Sequence, residues 1–189
     1  MAQAQRTGWM AATLVAGSAL LAGQAQATTT TAEALYREGA ELSDAVADVS
    51  ADIRRHARHL ERLSEQLPAS RETHAAHLVA IQDLVNGPLR KRLAQLDVAK
   101  PFLPEWKQES IDRMLNSARY LAANATAASS LKWADPRIPV AMSDSYRAYI
   151  RRMVEDVARL TEASETSSAR IRFQLETAHR DSSAALGGQ

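Results

Sequence analysis

The residues Leu42, Val46, Val49, Ile53, His56, Leu60, Leu63 and Leu67 follow one another at steps of 4, 3, 4, 3, 4, 3 and 4. An unbroken run of this kind is the seam of a helix that packs knobs into holes, and the period-two pleat of a strand cannot present it. A second run, Tyr146, Ile150, Met153, Val157, Leu160, Ser164, Ser167 and Ile171, repeats the same steps. Between the two lie His74, Leu78, Ile81 and Val85, then Leu89, Leu93 and Leu96, then Ile111, Met114, Leu115, Ala118, Leu121, Ala122 and Ala125, all at helical spacing. No stretch alternates apolar and polar residues as a half-buried strand would.

Punctuation divides these runs. Pro68 stops the first, and Ser70 with Glu72 supplies an N-cap and a first-turn acid for the next. Asn86-Gly87-Pro88 predicts a kink, because proline removes a donor and crowds the preceding turn. Pro104 suits the first turn of a third helix, and Ser143 caps a fourth after the two prolines of "DPRIPVAMSDS". The expected fold is all-α: an up-down-up-down antiparallel four-helix bundle with long helices at 31–67, 70–99 (kinked at 87–88), 104–133 and 143–181. Ala122, Ala125 and Ala128 then face Tyr146, Tyr149, Ile150 and Met153, small against large. Ser164 and Ser167 predict either close helix approach or a small polar cavity.

The N-terminal stretch "MAQAQRTGWMAATLVAGSALLAGQAQA" has one basic residue, Arg6, a short apolar run and an A-x-A end at Ala25 and Ala27. These are the parts of a secretory signal peptide, so residues 1–27 are expected to be cleaved near Ala27 and 28–189 to form one helical domain. The expected location is periplasmic or secreted, with no transmembrane segment in the mature chain. The chain has no cysteine, which excludes disulfides, thiolate metal sites and a lipid-modified cysteine. Its 23 Lys and Arg include Arg6, so 22 remain after cleavage against 22 acidic residues. A neutral balance argues against nucleic acid as a partner.

"RETHAAHLVAIQDLVN", then "PEWKQESIDRMLNSARYLAANATAA", then Tyr146 and Tyr149 resemble an uncharacterised family of secreted helical proteins from soil bacteria of the acidobacterial kind. The likeness spans most of 70–172. The matching positions are His74, Ala75, Leu78, Ile81, Val85, Asn86, Trp106, Ile111, Asp112 and Arg113, and His77 departs from the family's pattern. The resemblance implies an exported helical protein and brings no activity with it.

Four of the five histidines lie on either side of Pro68: His56 and His59, then His74 and His77. Imidazole suits zinc, copper and nickel, and bundle metal sites are built from facing helices. A hairpin about Pro68 brings His59 and His77 to similar height, with His74 or a carboxylate as a third ligand; His56 falls further along the seam. The candidate metal set is therefore His59, His74 and His77, with Arg54, Arg55, Arg58 and Arg62 opposing a cation by repulsion. The same imidazoles alternatively make the hairpin sensitive to acidification.

Catalytic signatures are thin. Di-iron bundles need two E-x-x-H motifs, and this chain has one, Glu176 to His179. No glycine-rich phosphate loop is present, and no serine is spaced with a histidine and an acid as a nucleophile requires. The connections around Phe102, Trp106, Trp133, Ile138 and Val140 are apolar for loops and are the candidate partner-binding residues. The expectation is a non-enzymatic exported bundle that binds a protein or envelope component as an adaptor, holdase or structural element. The alternative is a periplasmic divalent-metal binder.

Overall fold

The computed structural model describes residues 9–65, 71–132 and 143–187, and every element among them is helical. The elements are α1 (Trp9–Glu65), α2 (Arg71–Leu84), a π-helical turn (Val85–Leu89), α3 (Arg90–Ala99), a 3-10 turn (Lys100–Phe102), α4 (Glu105–Lys132) and α5 (Asp144–Gly187). The all-α expectation holds. α1 begins well before residue 31. Leu67, Pro68 and Ser70 lie outside the described residues. No helix among those described is long and apolar enough to cross a membrane.

Proline does not break the second helix. The turn Val85–Leu89 holds Pro88 inside a π-helical step, and Val85 and Leu89 on either side of it are both buried. One extra residue in the turn accommodates the missing N–H without giving up the helix, a common device where the ladder is interrupted. Lys107 and Gln108 donate backbone N–H groups to the Pro104 carbonyl, which opens α4 as expected. The Tyr146 N–H bonds the Ser143 hydroxyl at 3.3 Å, so Ser143 caps α5.

The α5 seam is buried along its whole length, from Tyr146 to Ile171, and so is the α2 seam, His74 through Val85. α1 differs at alternate positions. Leu42, Val46, Ile53 and Leu60 are buried as expected, but the stripe is completed by Ser43, Ser50, Ala57 and Ser64, while Val49, His56 and Leu63 only flank it. Small side chains at 50, 57 and 64 are buried there. Their hydroxyls are consumed locally: Ser50 donates to the Val46 carbonyl at 2.7 Å and Ser64 to the Glu61 carbonyl at 2.7 Å. His56, expected to face the core, is thereby turned to the side that meets α2. α1 packs on α5 and α2, and α4 packs on α5 and α2.

Candidate functional site

α1 carries His56 and His59 on its α2-facing flank, one turn apart, and α2 brings His77 against both. The Nδ1 atoms of His56 and His77 are 2.9 Å apart, a single hydrogen bond in which one ring donates and the other accepts. The His59 and His77 ring centroids are 4.3 Å apart at 49°. The approach of His59 to His77 matches the sequence reading; the participation of His56 does not, and follows from the offset of the α1 stripe.

His74 goes elsewhere. It is buried, and its Nδ1 lies 3.0 Å from the Tyr146 hydroxyl of α5, with the two rings edge to face. His74 is committed to Tyr146 while His77 packs against His56 and His59, so these contacts do not gather the expected trio His59, His74 and His77 around one point. Burial pushes the Tyr146 phenol well above its usual range, so it stays a neutral donor and acceptor for His74. Among the described residues, no group of three or more His, Cys, Asp or Glu side chains is arranged to hold a metal ion.

A second polar centre was not anticipated. Lys107 of α4 is fully buried, and its Nζ donates to the Gly39 carbonyl (3.3 Å) and the Ser43 hydroxyl (2.6 Å) of α1 and to the Ser167 hydroxyl of α5. Burial pulls the amine down to about 8, against a partial restoring pull from Asp44. Asp44 itself accepts from Ser168 and Arg172 of α5. The signal for Lys107 was in the sequence: 107, 111, 114, 118, 121, 125 and 128 step 4, 3, 4, 3, 4, 3, which places the lysine on the α4 seam. Ser167, expected to allow close approach or line a polar cavity, is part of this centre, whereas Ser164 closes on its own helix at the Thr161 carbonyl.

Outside Ser167, α4 and α5 leave an open groove of about 470 Å³. Its floor is small, with Ser110, Ser117, Ala163 and Ser167, and its walls carry Trp106, Tyr120, Arg113, Arg159, Arg170 and Glu162. The Arg170 guanidinium lies 4.3 Å from the Trp106 ring centroid, a cation–π contact. Arg159 is held by the buried Asp156, which also accepts from the Asn124 amide at 2.7 Å. Arg113 pairs at 3.6 Å with Glu109 at the surface.

Of the residues expected to bind a partner, Trp106 lines this groove and Phe102 stands 74 % exposed at the turn before α4. Its neighbour Leu103 is buried and ties that turn to the core. Trp133, Ile138 and Val140 lie outside the described residues. The chain matches no protein-family model, no curated protein and no solved structure.

Proposed function

We propose that this chain is an exported, non-enzymatic protein that acts by binding an acidic protein segment or other anionic envelope component. The groove between α4 and α5 carries the reading. Trp, Tyr and Arg are the residue types on which interface energy concentrates, and here they converge over a floor of small side chains that leaves room for an occupant. Arg170 over Trp106, with Arg113 only loosely paired at the surface, favours a negative partner. The buried ammonium of Lys107, bonded to Ser167 in the floor, adds to that field.

The helices themselves read best as an up-down-up-down antiparallel bundle. The contacts α1 with α2, α2 with α4, α4 with α5 and α5 with α1 form a closed ring of sequence neighbours, which supports that topology. Export rests on the signal-like first 27 residues. The divalent-metal alternative keeps His59 and His77 but not His74, and its remaining imidazoles are bordered by Arg55, Arg58 and Arg62.

A photo-crosslinking side chain at Tyr120, in cells producing the full-length chain, tests the binding reading. The expected result is a discrete adduct in the envelope fraction that disappears in the Arg113→Glu/Arg170→Glu variant. No adduct, or one indifferent to charge reversal, overturns it. The same cells report export: the accumulated protein should begin at about Thr28 and fractionate outside the cytoplasm.

A further inference from the structure

On a different pair of helices, we infer that α1 and α2 form an acid-gated site for multivalent oxyanions of the sulfate or phosphate-ester class. The hollow between them, about 400 Å³, is lined by Arg55, His56, Arg58, His59, Arg62 and His77. All six are cations or become cations on protonation, and among the described residues no carboxylate lines the wall. Asp52, the acid tied to this face, is already paired with Arg55 as an exposed i,i+3 neighbour.

The gate follows from how the imidazoles are satisfied. In the neutral state one proton serves the His56–His77 pair, and the Arg62 guanidinium approaches His59 Nδ1 at 3.4 Å. The accepting Nδ1 of that pair and His59 Nδ1 are thus occupied from within the cluster. Protonation turns each acceptor nitrogen into a donor. The His56–His77 bond is then lost, and N–H groups and positive charge are left facing a hollow that already holds three guanidiniums. An oxyanion brought from outside relieves this, since its several oxygens match both the donor count and the charge.

The charges acting on His77 are those of α1. Burial first, then His59, then His56, hold it below the usual imidazole range. Its own helix adds His74, which is committed to Tyr146 of α5. A bound anion reverses the sign of that environment, so binding takes up protons and strengthens as pH falls through the imidazole range. The oxyanion has two possible sources, a soluble polyanion and the phosphodiester headgroups of an anionic membrane.

The test is calorimetric titration of the full chain with sucrose octasulfate at pH 5.5 and 7.5 at one ionic strength, beside flotation with phosphatidylglycerol vesicles. Both probes keep their charge across that range. The expected result is binding about tenfold tighter at pH 5.5, with proton uptake, to the soluble probe, the vesicles or both; which one responds identifies the source. In His59→Gln/His77→Gln the pH dependence should vanish, and Arg58→Gln should weaken binding at both pH values. Ring resonances of the unaltered chain give a readout free of any folding defect, since saturating sucrose octasulfate, or the vesicles if they alone bind, should raise the His56, His59 and His77 titration midpoints. Absence of binding to both probes at pH 5.5, an unchanged pH slope in the double variant, or tight zinc binding with no anion response would each overturn the proposal.

Discussion

The molecule holds two basic centres, a lone lysine and a histidine cluster, about 24 Å apart along α1, at 1.5 Å per residue from Ser43 to His59, and they treat positive charge in opposite ways. Around Lys107 the charge is enclosed, and neutral oxygens of the chain accept from it: the Gly39 carbonyl and the Ser43 and Ser167 hydroxyls. Around His77 the charge is optional, because each imidazole can be neutral and the rings serve one another. The first centre is a fixed element of the core. The second is an open surface whose character is set by pH. A buried amine must bring its acceptors with it, whereas a half-buried imidazole can give up its proton instead.

The largest expected effect comes from removing the enclosed charge. Lys107→Met should stabilise the protein by about 1–4 kcal/mol at pH 7, because an apolar side chain of similar length avoids the desolvation of the ammonium. With the folded amine at about 8 and its ordinary value at 10.5, the unfolded chain binds more protons between those limits. Unaltered protein therefore gains stability as pH rises through that window, and the advantage of Lys107→Met should shrink by pH 10. Urea melts of both proteins at pH 7 and 10 measure it. A destabilised variant at pH 7 would mean that the three acceptors outweigh the desolvation.

Next is the neutral polar pair of His74 and Tyr146. Tyr146→Phe removes the hydroxyl that meets His74 Nδ1 and should cost about 1–3 kcal/mol, the penalty for a buried polar group losing its partner. His74→Leu in the same background should recover part of that loss, which a double-mutant cycle by thermal denaturation would show.

Acid should separate the two centres further. His77 sits below its usual 6.5 in the folded chain, so the unfolded chain binds more protons just below that value. Stability is complete above pH 6.5 and is lost as pH falls through the window beneath it. The melting temperature in a buffer free of polyvalent anions should drop between pH 7.5 and 5.5, and His77→Gln should flatten the drop. An equal drop in the variant would locate the acid sensitivity elsewhere.

The smallest expected effect concerns the backbone beside Lys107. A Cβ at Gly39 would lie 3.8 Å from Lys107 Cε and 3.9 Å from Ile171 Cδ1, ordinary contact distances. Gly39→Ala should therefore raise stability by about 0.5–1 kcal/mol through helix propensity, as read from a shift in denaturation midpoint. A loss would show that the Lys107 pocket tolerates no change of α1 at all.

The seams of α2 and α5 were legible because apolar side chains at steps of 3 and 4 have no other way to leave water together. The α1 seam was legible at Leu42, Val46, Ile53 and Leu60, which are buried as expected, but Val49, His56 and Leu63 only flank the core, and the adjacent Ser50, Ala57 and Ser64 are buried in their place. That offset moved His56 into the histidine cluster. His74 was read as core-facing, and it is, but its partner comes from a helix 72 residues away in sequence.

The sequence by itself determined that this chain is helical, that Pro104 opens α4 and Ser143 caps α5, and that histidines crowd the approach of α1 to α2. These follow from local periodicity, caps and breakers, which act within a few residues. Tertiary structure alone decided which face of α1 is innermost, which histidines touch, and that Ser43, Ser167 and the Gly39 carbonyl converge on Lys107. Those outcomes depend on the rotation of each helix about its own axis, and that angle is fixed by the sizes of side chains on neighbouring helices rather than by spacing along one.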